Sequence, residues 1–203
     1  MCESRVHGTW YEKVQCMQNH SLLWSELSND GLAPPQGVLP RTLAENGHEK
    51  AIALIRKALE IETELFGANS IEVIENKGTL ARVLDYFNDV DDDEAIRLYE
   101  QVISVYSRLD GSSSASVATN KQNLGLVYIH RYNRAFLAHD LDRQLVNMEL
   151  ALPYYHETVR IFRAINYLDE ADNNAQSVTR IEEVIRRVRT ELAASCQSSN
   201  DEQ

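Results

Sequence analysis

The chain repeats itself. Shifted by 44 residues, residues 49–85 overlie residues 93–129 with eleven identities in 37 pairs. The identities are mostly small and apolar: Ala51 with Ala95, Leu54 with Leu98, Gly67 with Gly111, Val73 with Val117, Leu80 with Leu124 and Val83 with Val127. A period in this range points to a supersecondary unit that cannot bury its apolar face alone and must stack on its neighbours. Within the first copy, Ala51, Leu54, Ile55, Ala58, Leu59, Ile61 and Leu65 fall at helical spacing, and so do Ile71, Ile74, Leu80, Val83 and Leu84 after Gly67. Each unit is therefore two helices. Gly67 and Gly111 stand where a helix ends, and Ser70 and Ser114 where the next begins.

A third copy emerges when about twelve residues are inserted: Ala151, Tyr155, Val159, Ile161 and Phe162 then align with Ala95, Tyr99, Ile103, Val105 and Tyr106. The insertion covers about 131–148, and its Tyr132, Phe136, Leu137, Leu141 and Leu145 predict extended helices or a packed crossover. Beyond Asp169, Glu170 and Asp172, the residues Val178, Ile181, Ile185, Val188 and Leu192 predict a terminal capping helix. Arg180, Arg186, Arg187 and Arg189 flank it, placed to suit the helix dipole rather than an anion. Tyr99, Tyr106, Tyr154, Tyr155 and Phe162 recur on the second helices of the pairs and predict core packing.

The domain layout expected is an N-terminal segment 1–44, a repeat domain 45–194 with its insertion, and a polar disordered tail 195–203. Trp10, Val14, Met17, Trp24 and Leu27 line one face of a candidate first helix, followed by a connection containing Pro34, Pro35 and Pro40. The 44-residue period would put a partner helix for the first unit near 26–41, where Pro34 and Pro35 forbid one; the helix at 10–28 is the candidate substitute.

The residues Ser116–Tyr128, SVATNKQNLGLVY, resemble the helix written D-V-A-T-x-L-N-N-L-A-x-x-Y in kinesin light chain repeats, and 94–103, EAIRLYEQVI, resembles that family's second helix. The chain thus resembles a tetratricopeptide repeat protein of the kinesin light chain-like, long-repeat type. The resemblance covers about residues 45–130 well and 149–190 faintly. It implies an all-α superhelix, a solenoid of about three helix pairs with atypical ends. The first helix of each pair lines a concave groove. By that resemblance the groove-facing residues are Thr119, Gln122, Asn123, Leu126 and His130 in the second unit, and Glu75, Gly78, Thr79, Arg82 and Tyr86 in the first. Asn123 falls on the second Asn of the family's N-N-L motif, whose amide can donate to and accept from a ligand's backbone. The sequence departs from the family at Gln122, and at Gly78 and Thr79, where asparagines would sit. No long heptad segment of the kind that joins light chains to motors is present.

The expected function is a non-catalytic scaffold that binds a protein or peptide segment in the groove. The alternative is a self-associating structural protein, a homo-oligomer with no peptide ligand. A net charge of −11 argues against nucleic acid, whose binding relies on clustered cations. No apolar run approaches the roughly 18–20 residues that span a bilayer, and no secretory leader stands at the N-terminus, so a cytoplasmic location is expected. Cys2, Cys16 and Cys196 lack metal or redox spacing and are expected to be free thiols. The run Asp89, Asp91, Asp92, Asp93 and Glu94 lacks the spaced ligands and central glycine of a calcium loop and reads as a helix start. No cofactor, metal or catalytic residue is expected.

Overall fold

The structure, a computed structural model, describes residues 41–87 and 92–201. The candidate helix at 10–28, the Pro-rich connection up to Pro40, and Asp89 and Asp91 lie outside the described residues. Those described form helices α1 (Arg41–Phe66), α2 (Ile71–Phe87), α3 (Asp92–Leu109), α4 (Ala115–Leu137), α5 (Leu141–Ala164) and α6 (Leu168–Asp201). The protein is all-α over this range. Two compact units divide it, one ending at Val83 and the other beginning at Leu84.

The turn chemistry of the repeat is used twice in the same way. Gly67 and Gly111 adopt φ of 86° and 88°, a left-handed conformation that costs a side chain with Cβ but not glycine. Ser70 and Ser114 then cap the following helices, each hydroxyl accepting the amide of Val73 or Val117 at 3.3 Å. At the third such turn Asn166 takes the left-handed place with φ of 63°, Asn being tolerated there where most residues are not. The amide of Tyr167 donates back to the carbonyl of Phe162 at 2.8 Å, closing a Schellman turn without glycine.

Residues 131–148 comprise the last turns of α4, a tight connection and the first turns of α5. The connection is another Schellman turn: His139 has φ of 56°, Asp140 donates its amide to Ala135 at 2.9 Å, and the Asp140 carboxylate accepts from the amide of Arg143 at 2.9 Å. The extra residues thus lengthen two helices and form no crossover.

In the second unit α4 packs on α5, α5 on α6 and α3 on α4. Its core holds Val117, Ala118, Ile161, Phe162 and Ala171, with Ile103, Tyr106 and Ile165 against it. Of the predicted core aromatics, Tyr99, Tyr155 and Phe162 are buried; Tyr154 is half-buried and stacks on Tyr128 at 5.9 Å. Gly125 makes the α4–α5 contact close, since a Cβ there would stand 2.8 Å from the Tyr155 ring.

Two sequence expectations are corrected in α6. The helix runs on through Asp201, so residues 195–201 of the expected disordered tail are helical; Ala193 and Ala194 favour helix and neither Gly nor Pro interrupts. The arginines therefore lie mid-helix, and the last turn holds no basic residue. Two of them are held by pairing instead: Arg187 donates to the Tyr132 hydroxyl at 2.8 Å and Arg189 to Glu149 at 2.6 Å. One face of α6 carries Asp172, Gln176, Thr179, Glu183, Arg186 and Thr190, all exposed. With no apolar stripe, that face suits the end of a stack.

Candidate functional site

The candidate site is the outward face of α4. The helix buries Val117, Ala118, Leu124, Gly125, Val127, Tyr128 and Ala135. A rotation of about 100° per residue aligns Thr119, Leu126 and Asn133 on the opposite side, with Gln122 beside them and Asn123 and His130 at one edge. Thr119, Leu126 and Asn133 are exposed, and Gln122, Asn123 and His130 half-buried.

Both flanks of this face are anchored. On one side His130 Nδ1 lies 2.9 Å from Oδ1 of Asp85, which is buried at the end of α2. That hydrogen bond raises the His130 pKa above its ordinary value, against a smaller opposing effect of burial. One turn on, the Asp92 carboxylate accepts from Nε of Arg131 at 3.0 Å and from Arg134. Arg131 also bonds Asp93, holding that carboxyl below the usual range, and its guanidinium lies 5.8 Å from the centre of the Tyr128 ring. The acidic run therefore serves at Asp92 and Asp93, in the first turn of α3, as a tie to α4. On the other side Tyr132 accepts from Arg187 of α6.

Between these anchors, the polar side chains are unspent. Asn120, Asn147 and Asn174 each turn their amide back to a carbonyl of their own helix, at 2.8, 2.7 and 2.7 Å. Gln122, Asn123 and Asn133 do not: no described residue hydrogen-bonds their side chains. An amide carries two donors and an acceptor, so each can bind both polar groups of a peptide unit.

The groove-facing residues expected in the first unit are on α2. Thr79 is half-buried and Arg82 exposed. They belong to the unit that ends at Val83, whereas Thr119, Gln122, Asn123 and His130 belong to the other. The Tyr86 side chain lies outside the described residues. Sequence reasoning missed Asp85 and Asp92 as the partners that fix α4. A signal for Asp85 exists in the repeat alignment, where this buried acid occupies the place of Ile129 in the next copy. An acid at an apolar position of the pattern announces a polar partner.

Among the described residues, no group of three or more His, Cys, Asp or Glu converges as a metal site. None of the described helices is long and apolar enough to cross a membrane.

No protein-family model matches the chain, and no curated protein sequence matches it. Among solved structures it is similar to BtubC (BKLC) from P. vanneervenii, at 19% identity and a TM-score of 0.39, over 87% of this chain and 76% of that one. It is similar also to two structures of a Podosopora anserina kinesin light chain with nearly identical TPR-like repeats, at 15% and 14% identity and a TM-score of 0.41 for each. The first alignment covers 90% of this chain and 94% of that one, and the second 93% of both. The chain is similar to TPR-like helical-repeat structures at identities that transfer no residue's role, so the site is read from its own side chains.

Proposed function

We propose that the chain is a non-catalytic interaction scaffold, cytoplasmic in setting, whose α4 face receives a segment of a partner protein. The observation that carries this reading is the contrast among the amides. Asn120, Asn147 and Asn174 satisfy the backbone of their own helices, while Gln122, Asn123 and Asn133, around exposed Leu126, make no side-chain hydrogen bond to a described residue. Polar groups flanking an apolar anchor are the pattern of a surface that binds polypeptide. Thr119 and His130 border the same surface. The net charge of −11 disfavours nucleic acid as the occupant.

The test is selection of binding peptides from a displayed library against the purified chain. A Gln122→Ala, Asn123→Ala variant and a Leu126→Asp variant are then titrated with the selected peptide after circular dichroism shows their helicity intact. Each is expected to weaken binding at least about tenfold, equivalent to about 1.4 kcal/mol. Equal affinity for both folded variants would place binding elsewhere and refute the reading.

Self-association is the second reading, and one observation favours it. Phe136 and Leu137, at the end of α4, are 51% and 78% exposed. Light scattering decides: a mass that rises with concentration and falls to the monomer in Phe136→Ser, Leu137→Ser would replace the scaffold by a homo-oligomer.

A further inference from the structure

Leu126, His130, Asn133 and Leu137 follow one another along the outward face of α4 at spacings of four, three and four residues. A rotation of about 100° per residue keeps them in one stripe, with the two leucines three turns, or about 16.5 Å, apart. Leu126 and Leu137 are exposed, and His130 is the titratable member between them. Its Nδ1 lies 2.9 Å from Oδ1 of Asp85, and the two side chains are 30% and 6% exposed. Asp85 thus covers the Nδ1 side, and the exposure falls to the rest of the ring, which carries Nε2. Nε2 makes no hydrogen bond to a described residue. With a carboxylate accepting at Nδ1, the neutral ring keeps its proton there and shows a lone pair at Nε2; protonation turns that acceptor into a donor.

We propose that His130 gates the α4 face by proton: the bound segment donates an N–H to Nε2, so the face holds its partner while the ring is neutral and releases it when the ring is protonated. This gate rests on the reading of α4 as the binding face. Two observations favour a donor over an anion as the occupant. The net charge of −11 sets the field of the chain against a carboxylate. The hydrogen bond to Asp85 also polarises the neutral ring and strengthens Nε2 as an acceptor. Asp85 is the charge that faces His130 from α2. From α3 come Asp92 and Asp93, taken up by Arg131 and Arg134. From α5 comes Glu157, paired with Lys121 at 3.7 Å, roughly two and a half turns before His130, and from α6 comes Arg187 at the Tyr132 hydroxyl. Burial pushes the Tyr128 and Tyr154 hydroxyls up and keeps them neutral. Among these groups His130 alone changes charge between about pH 5 and 8. Its bond to Asp85 raises its pKa and so moves the gate toward neutral pH. The protonated pair stabilises the fold on the acid side, so release on acidification is opposite in sign to unfolding of this contact.

The experiment is a calorimetric pH series on the full chain, between about pH 5.5 and 8, with the peptide selected from the displayed library at neutral pH as the probe. Binding is expected to weaken on acidification, approaching about tenfold per pH unit below the His130 pKa. His130→Gln is expected to flatten the profile. His139→Asn, at the turn beyond α4 where the left-handed backbone tolerates Asn, is expected to leave it unchanged. A second readout needs no variant: titrations of the unmutated chain in buffers of different ionisation enthalpy are expected to show net proton release on binding. Proton uptake, or affinity that rises on acidification, would assign an anionic group to Nε2 and overturn the gate. A flat profile, or one that His139→Asn flattens, would overturn it as well. The site and the gate fail separately: a peptide weakened by Leu126→Asp but indifferent to pH keeps α4 as the binding face and removes the gate, whereas one indifferent to Leu126→Asp removes both.

Discussion

Replacing Gly125 by alanine sets two effects of similar size against each other. In a helix interior, alanine is favoured over glycine by about 1 kcal/mol, because glycine gives up more backbone freedom on folding. Against this, the new Cβ would stand 2.8 Å from Cε2 and 3.0 Å from Cδ2 of Tyr155, and 3.3 Å from Cβ of Tyr154. The Tyr155 ring is buried, so it cannot swing clear without disturbing the α4–α5 contact. Overpacking of this kind costs about 1–3 kcal/mol. The clash wins, with a net loss on the order of 1 kcal/mol after the propensity gain is subtracted. In thermal unfolding that is a fall of roughly 2–4 °C for a chain of this size. Urea titration followed by circular dichroism measures it, and a cycle with Tyr155→Leu apportions it. The smaller side chain makes room, so the double variant is expected to be more stable than the sum of the singles by about 1 kcal/mol. If Gly125→Ala stabilises by the full propensity difference, or if the two substitutions simply add, the close approach at this glycine is not what sets the choice of residue.

Two pH effects follow from buried acid chemistry. His130 has its pKa raised by Asp85, so its contribution is fully present below its unfolded value near 6.5 and lost as pH rises through the folded value. His130→Gln should flatten the stability profile above about pH 6.5 and cost on the order of 1 kcal/mol below it, measured by urea midpoints across that range; an unchanged slope would refute the pairing. Glu62 has its pKa raised above 4.5, chiefly by burial and despite the Asn76 hydrogen bond, with its Oε1 lacking any hydrogen bond. Stability is therefore lost as pH rises from about 4.5 to the folded value, and Glu62→Gln should remove that slope and gain about 1 kcal/mol at neutral pH; a loss at neutral pH would show that the charge is supported.

What the sequence displayed was what recurs locally. The glycine at each helix end and the serine three residues later read directly as turn and cap, and Gly67, Gly111, Ser70 and Ser114 occupy those roles. The third turn was opaque because Asn166 replaces glycine and the match to the earlier copies had already decayed. Arg187 and Arg189 of α6 read as structural from the sequence but not as to cause, since their partners Tyr132 and Glu149 are 55 and 40 residues away. The same distance hid Asp85 and Asp92, whose ties to His130 and Arg131 span 45 and 39 residues. A local period says which face of a helix is buried; it does not say which polar side chain at the edge finds which partner.

The equivalent asparagines of the two copies show how one scaffold acquires different polar duties. Asn76 donates to Glu62, while Asn120, at the same place in the repeat, donates to the carbonyl of Ser116 in its own helix. The difference traces to the neighbouring helix, where Glu62 of the first copy is replaced by Tyr106. Once no acid stands opposite, the amide turns to the nearest free acceptor, and only a carbonyl one turn back is in reach. Gln122 has a side chain one methylene longer, and Asn123 sits toward the open face. Neither is drawn into such a bond, although both are on the same helix as Asn120. Their availability is thus a property of position and not of residue type. Because α4 is fixed at both edges by His130–Asp85 and Tyr132–Arg187, these amides are offered from a backbone already held in place, which lowers the ordering cost of any complex they form. A bound helix has already spent its backbone donors and acceptors on itself, so amides of this kind gain most from a segment whose backbone is extended.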